Sequence, residues 1–457
     1  MFIGFSVSNF LSFHSPQTMS MLASKVARHK EHLLNGNGKK ILKTGLIYGA
    51  NASGKSNFIK AIDFSRDIIL DGLDNVDLTR KHFRICNDGY TTPGVFEYRL
   101  ITQAGQEYSY GVAISYAAKE ILSEWLIRID KTGSETYIFN RDTKEDGESS
   151  TLSEIKTKNA DERIRWEIYL EDFGKNISPS MKKKTILSDI AERSTQDTGV
   201  FAEISAVYEW FQNIIIIFPT SQYGALNQIA EKESVRRFFA SMLSFFDTGI
   251  ESVESKQSQM EFDKIFEGLS SEQKEKLKIR ISNTITEEAS IIKINNQLYT
   301  VRKDKDGNII TTKMMQNHGN DQDLFEYADE SDGTQRLFDL IPLFYEKQSN
   351  GVIFVDEIDR SLHTNLTRKF LELFYRFTLN ENCQIIATTH DSNLLDLELL
   401  RQDEIWFVKR LEDHSSSMYS LNRYKERYDK KIDKEYLLGR YDAVPTFEED
   451  ILEDMDD

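Results

Sequence analysis

The sequence predicts an α/β fold: a mainly parallel sheet carrying a phosphate-binding loop, an antiparallel β meander and a mostly helical insertion. Three observations predict it. Gly49-Ala50-Asn51-Ala52-Ser53-Gly54-Lys55-Ser56 has the G-x-x-x-x-G-K-S spacing, between the apolar Leu46-Ile47-Tyr48 and the apolar-periodic Phe58, Ile59, Ala61 and Ile62. From Gly333 to Tyr419 helical and strand patterns alternate, as in a parallel sheet covered by helices. From Phe83 to Asn140 the apolar residues recur with period two, the mark of half-buried strands.

The chain of 457 residues is long enough for one large domain with an insertion, or for two domains. Its 39% hydrophobic and 29% charged residues suit a globular protein. Apolar runs such as Ile214 to Phe218 are too short to span a bilayer. Two cysteines, Cys86 and Cys383, argue against a disulfide framework or a Cys-based metal site, and Met1 to Phe13 alternates as a strand does. A reducing, cytoplasmic setting without membrane contact is therefore expected. The net charge of −17 argues against indiscriminate nucleic-acid binding, which needs Lys and Arg.

The elements follow in order. Met1 to Phe13 and Lys43 to Tyr48 read as strands, and a helix is expected from about Lys55 towards Leu70. Val95 to Leu100, Tyr108 to Ile114, Glu124 to Ile129 and Thr136 to Phe139 form the meander, separated by turns such as Lys131-Thr132-Gly133-Ser134. Asp142 to Asn159 is polar and reads as a loose loop. Helices are expected at Val200 to Asn213, Glu231 to Phe246 and Ser271 to Thr284. Ile291 to Met315 reads as a hairpin turning at Lys305-Asp306-Gly307-Asn308. The expected division is 1–141 for an N-terminal lobe, 142–290 for the mainly helical insertion, 291–445 for a C-terminal lobe and 446–457 for an acidic, solvated tail.

The chemistry lies in four segments. In the first, Gly49, Asn51, Ala52, Ser53, Gly54, Lys55, Ser56 and Asn57 form a nucleotide cradle, because glycines let the backbone wrap closely and turn its N–H groups on phosphates. The helix that begins there adds its N-terminal dipole. Lys55 is expected to reach the β- and γ-phosphates of ATP and Ser56 to bind Mg²⁺. In the second, the apolar Val352 to Val355 ends in Asp356-Glu357. A buried strand delivers both acids to the sheet edge where ligands bind. Asp356 would orient Mg²⁺, and Glu357 would polarise the attacking water. In the third, Ser331-Asp332-Gly333-Thr334 opens a helix. Alone it reads as an ordinary cap; with a phosphate loop and an Asp-Glu strand it reads as an anion site. In the fourth, Thr388-Thr389-His390-Asp391 follows the apolar strand Gln384 to Ala387, where His390 can sense a γ-phosphate. The eight histidines show no metal-ligand spacing, so Mg²⁺ with the nucleotide is the only metal expected.

In this order the segments resemble the ABC-type ATPase heads of the SMC, RecF and OLD group. More closely they are similar to the prokaryotic AAA defence ATPases of that group. Asn9-Phe10-Leu11-Ser12-Phe13, Asp356-Glu357-Ile358-Asp359-Arg360-Ser361-Leu362-His363, Arg401 to Val408 and Tyr436-Leu437-Leu438-Gly439-Arg440-Tyr441 carry this resemblance. It covers both ends of the chain and thins between about Asp142 and Ser290. Thr364 stands where a proline is usual, and Asp442 where a glycine is usual.

The resemblance implies an ABC-type P-loop head with a composite site. Lys55, Ser56, Asp356, Glu357 and His390 act from one subunit, and Ser331, Gly333 and Thr334 cap the nucleotide of its partner. It implies a homodimer or higher homo-oligomer that controls an effector nuclease or toxin encoded nearby, as in Septu- and PARIS-type systems, with a phage or nucleic-acid trigger. The alternative it leaves is a repair ATPase of SMC or RecF type that clamps nucleic acid directly.

Overall fold

The computed structural model describes residues 1–144, 147–157, 159–193, 198–219, 229–230, 232–258, 271, 275, 290–294, 297–303, 309–345 and 351–445. The chain forms two compact units. One holds Met1–Ile216, Gln348–Ile358 and Thr378–Asp457, and the other holds Ile217–Lys347 and Asp359–Phe377.

The first unit contains two sheets. The period-two segments build a seven-stranded antiparallel sheet in the order Ser149–Leu152, Glu135–Thr143, Glu120–Ile129, Glu107–Ser115, Gly94–Ile101, Phe2–Ser8 and Gln17–Ser20. The second sheet has six strands, ordered Ile214–Ile217, Val352–Val355, Gln384–Thr388, Thr44–Tyr48, Ile405–Arg410 and Ser416–Ser420. Its four middle strands run parallel. They are almost wholly buried and correspondingly apolar, as strands covered on both faces must be.

Helix Lys55–Asp71 buries Phe58, Ile59, Ala61, Ile62, Phe64, Ile68 and Ile69. Phe58 meets Phe5 at 5.5 Å, and Phe64 meets Phe10 at 4.8 Å and Phe96 at 5.6 Å. The helix that opens at the phosphate loop is thereby fixed to the antiparallel sheet. That sheet also anchors helix Ile186–Arg193. The buried carboxylate of Glu124 accepts the amides of Ile186 at 2.8 Å and Leu187 at 3.2 Å and the hydroxyl of Tyr110 at 3.0 Å. Arg141, equally buried, lies 3.3 Å from it.

Two expectations are corrected. The first strand stops at Ser8, not Phe13; the chain turns back at Asn9 and Leu11, both left-handed with φ of 47° and 49°. Asn9 stabilises the turn by donating its amide to Gly89 O (2.8 Å) and Thr92 O (2.6 Å) and accepting from Phe83 N (3.0 Å). The polar stretch Asp142 to Asn159 is also not a loose loop throughout. Glu135–Thr143 runs into it, and Ser149–Leu152 pairs back with Ser149 opposite Thr143. An edge strand with one face in water needs no apolar alternation.

Helices Ala160–Phe173, Gly199–Gln212 and Glu233–Phe245 are observed. The helix expected at Ser271 to Thr284 falls on residues largely outside those described, as do the turn at 305–308 and the tail 446–457. In the second unit, Gln297–Lys303 pairs with both Ser290–Ile294 and Ile309–Asn317, and the last pairs with Ser252–Ser258. The expected hairpin is thus part of a larger antiparallel sheet. Its helices Glu233–Phe245 and Asp332–Leu340 meet through Phe239 and Phe338 at 4.9 Å. Among the described residues, no helix is long and apolar enough to cross a membrane.

Candidate nucleotide-binding site

The parallel register decides which groups share an edge. Ala387 lies opposite both Leu46 and Val355, and Phe407 lies opposite Tyr48. The strands therefore end side by side, and Gly49, Asp356 and Thr389-His390 leave the same edge of the sheet.

The phosphate loop is bent tightly against its neighbours. A Cβ at Gly49 would sit 2.3 Å from Val408 O, so no larger residue fits. Gly54 has φ of 110°, and a Cβ there would lie 2.1 Å from Ser416 Oγ. Helix Lys55–Asp71 starts at Gly54 without a side-chain cap, so its first N–H groups lack the usual internal acceptors. Ser53 Oγ is buried without a hydrogen-bond partner. Lys55 is buried, and its Nζ donates to Gly49 O at 2.8 Å and Ala50 O at 3.0 Å, within the curve of the loop. A glycine-lined turn, an uncapped helix start and a buried amine fit a phosphate chain.

The loop is held from behind by a serine knot. Ser416 Oγ donates to Ser53 O at 2.6 Å and lies 2.7 Å from Ser12 Oγ. Ser416 N donates to Ser12 O at 2.7 Å. Asn57 gives its amide to Ser12 Oγ at 2.9 Å, so its side chain braces the loop. Neither Ser12 nor Ser416 stands out in the sequence as a site residue. Ser12 lies inside the Asn-Phe-x-Ser-Phe element, whose part in the site is this contact.

Asp356 is buried and Glu357 half-buried. Thr388 on the neighbouring strand donates to Asp356 Oδ1 at 2.6 Å, and the same hydroxyl accepts Glu357 N at 2.8 Å. Ile358 N closes onto Thr388 O at 3.0 Å. Glu357 is left-handed, with φ of 50°. A bulky residue rarely adopts that region, and such backbone collects at functional sites. Ser56 is half-buried on the first turn of the helix after the loop, and a hydroxyl with a carboxylate suits the hard Mg²⁺ ion. His390 follows Thr389 and is exposed.

In the second unit, Ser331 caps helix Asp332–Leu340: its Oγ accepts Thr334 N at 3.2 Å and lies 2.9 Å from Thr334 Oγ1. A Cβ on Gly333 would stand 2.7 Å from Ser361 O, so glycine lets these two segments touch. The three residues thus form one capped helix start, and the glycine is sterically required.

The phosphate loop, the Asp-Glu strand and the strand that precedes His390 thus lie on one parallel sheet, with an antiparallel sheet on the loop helix, an α/β arrangement suited to a P-loop nucleotide site. Solved structures that align with the chain include the SMC head domain from Thermotoga maritima, 13% identical, with 92% of this chain and 98% of that chain covered and a TM-score of 0.37. The recombination mediator protein RecF with ATPrS in the RecFOR pathway aligns at 13% identity over 92% and 98% of the chains, with a TM-score of 0.34. No curated protein matches the chain in sequence. The family described as "AAA domain, putative AbiEii toxin, Type IV TA system" matches residues 46–165 and 220–396. That match takes in the phosphate loop, the Asp-Glu strand and His390 and more than half of the sequence, and the chain belongs to this AAA ATPase-domain family.

Proposed function

We propose that the chain is an ATP-hydrolysing switch of an anti-phage defence or abortive-infection system. In this reading ATP joins two heads, hydrolysis releases them, and the cycle controls an effector nuclease or toxin encoded nearby. The convergence of Lys55, Asp356, Glu357 and His390 on one sheet edge carries the hydrolytic part of the reading. The family match supports the biological part.

Lys55 leaves the loop carbonyls to meet the β- and γ-phosphates, and the loop amides hold the phosphate chain. Ser56 and Asp356 would hold Mg²⁺, which when bound would supply neutralising charge at the phosphates. Glu357 orients and polarises the attacking water, and His390 senses the γ-phosphate. Ser331, Gly333 and Thr334 of a second copy close the site. The γ-phosphate then biases a two-state assembly.

The test is the Glu357→Gln chain, expressed with its neighbouring genes and purified in Mg-ATP. This change keeps the shape of the side chain and removes the base. The expected result is a trapped homo-oligomer with a stoichiometric nuclease or toxin, lost in Lys55→Ala. Recovery of the chain alone, or with nucleic acid only, would overturn control of an effector and favour a clamp that grips nucleic acid directly.

A further inference from the structure

His29, Glu31 and His32 lie at the far end of the phosphate-loop strand from the nucleotide site. His32 O accepts Lys43 N at 2.9 Å, and Lys43 precedes Thr44–Tyr48, whose other end carries Gly49. A strand of that length spans about 16 Å. The three side chains bring one ligand atom each to within 4.8 Å of one another. His29 Nδ1 is 3.3 Å from Glu31 Oε1, and His32 Nε2 is 3.9 Å from the same oxygen. Ligands at about 2.0–2.1 Å around a tetrahedral ion are about 3.3 Å apart, so the cluster is close to that size.

The other ring nitrogens are already engaged as metal-bound imidazoles require. His29 Nε2 lies 2.9 Å from Leu397 O, and a carbonyl only accepts, so this nitrogen carries the hydrogen. That leaves Nδ1 as the ring nitrogen that faces the Glu31 carboxylate, at 3.3 Å. His32 Nδ1 lies 3.0 Å from the buried carboxylate of Glu404, the carboxylate–histidine arrangement that orients a ligand ring. His29 itself is left-handed, with φ of 51°. It is held there by the stacking of its ring on His32 at 4.8 Å and by the contact with Leu397.

The scaffold under the cluster is rigid. Arg401 grips Asp403 with two hydrogen bonds of 2.9 Å and donates to Arg28 O at 2.7 Å. Asp403 accepts Ser24 N and Ser24 Oγ, both at 2.7 Å. Segment 24–32 is thereby fixed to segment 397–404 before any ion is added. Glu31 is half-exposed, so an ion can enter from solvent.

We propose that His29 Nδ1, His32 Nε2 and the Glu31 carboxylate bind a divalent transition metal, Zn²⁺ by preference, as a clasp between these two segments. Two imidazoles and a carboxylate suit Zn²⁺, and Mg²⁺ rarely takes nitrogen ligands. The short spacing hides the site in the sequence: His29 and His32 are three apart, and only the 3-10 turn Lys30–His32 with a left-handed residue before it faces them on one carboxylate. The competing arrangement places the shared hydrogens so that His32 donates to Glu31, and it binds no metal.

The test titrates the metal-depleted full-length chain with Zn²⁺ against a chromophoric chelator, and with Co²⁺ for its ligand-field spectrum. One equivalent of Zn²⁺ per chain and a four- or five-coordinate Co²⁺ spectrum are expected. Glu31→Gln, a half-exposed change that leaves the fold intact by circular dichroism, should weaken Zn²⁺ at least about ten-fold, and so should His29→Ala. Binding should persist in Asp356→Asn, which separates this site from that of the nucleotide Mg²⁺. No uptake of Zn²⁺ by the depleted chain, or equal affinity in wild type and Glu31→Gln, would overturn the proposal.

Discussion

Thr388 donates its hydroxyl to Asp356 at 2.6 Å and accepts the amide of Glu357 at 2.8 Å. One side chain on the neighbouring strand therefore orders both acids of the candidate site. The parallel pairing of Val355 with Ala387 brings this about, since the next residue on each strand must then meet at the sheet edge. The loop after Asp356 is left no freedom, because Ile358 N also closes on Thr388 O at 3.0 Å.

Thr388→Val keeps the shape and removes the hydroxyl. Hydrogen bonds to charged groups contribute about 1.5–3 kcal/mol, or roughly 10–100-fold in rate if the loss falls on the transition state. Phosphate release should fall by that factor while ATP affinity, set by the loop, changes little. An unchanged turnover rate would show that Thr388 does not position Asp356 and Glu357.

The serine knot yields an expectation about binding rather than rate. Ser416→Ala removes the donor to Ser53 O and the hydroxyl that pairs with Ser12, and Ser12→Ala removes the acceptor used by Asn57 and the hydroxyl that pairs with Ser416. Each should weaken nucleotide binding by about 1 kcal/mol, roughly five-fold. The double variant should lose less than the sum, because both break one network. Titration of a fluorescent ATP analogue measures this, and additive losses would contradict a shared network.

The candidate site was legible where chemistry forces a local pattern. A phosphate loop needs glycines at fixed offsets, and a buried parallel strand needs an unbroken apolar run. The two departures from the family pattern are also intelligible. Asp442 has φ of 54°, the left-handed region where glycine is free of strain and Asp is tolerated. Thr364 opens helix Thr364–Phe377, the first-turn position that proline favours but does not monopolise. Ser12, Ser416 and Thr388 were not legible as site residues. They act through contacts between segments hundreds of positions apart, and a serine or threonine carries no local signal of such a partner. The strand Ser149–Leu152 escaped for a similar reason, since an edge strand is specified by its neighbour.

Asp67, on the loop helix, gives a pH dependence. Burial and then the nearby Asp63 push its carboxyl up to about 6 from an ordinary 3.8. A carboxyl raised in the folded state favours folding below its unfolded value and loses that contribution as pH rises through the folded one. Asp67→Asn should therefore stabilise the chain more at pH 8 than at pH 5. Paired thermal melts of the two proteins check this; an advantage independent of pH would place the shift elsewhere.

Glu124 and Arg141 are both fully buried, and Glu124 also receives the first amides of helix Ile186–Arg193. Glu124→Ala leaves Arg141 charged inside the protein without its acid. Breaking a buried pair from one side costs about 3–5 kcal/mol. Urea unfolding should show a loss of that order, with exchange of the amides of Ile186 and Leu187 accelerated most. A loss under about 1 kcal/mol would mean that the pair is solvated.

Glu357 separates backbone strain from chemistry. Its left-handed φ of 50° penalises any residue with a Cβ, by roughly 1 kcal/mol or more. Glu357→Ala and Glu357→Gly both remove the carboxylate, so both should lose hydrolysis. They differ in the backbone: glycine sheds the strain but loses more entropy on folding, by about 0.4–1 kcal/mol. Relief of strain outweighs that entropy, so the glycine variant should be the more stable of the two, by up to about 1 kcal/mol. At an ordinary right-handed position the order reverses. Comparing the two inactive proteins by denaturant unfolding thus reads the conformation of one residue, and a more stable alanine variant would show that Glu357 is not left-handed in solution.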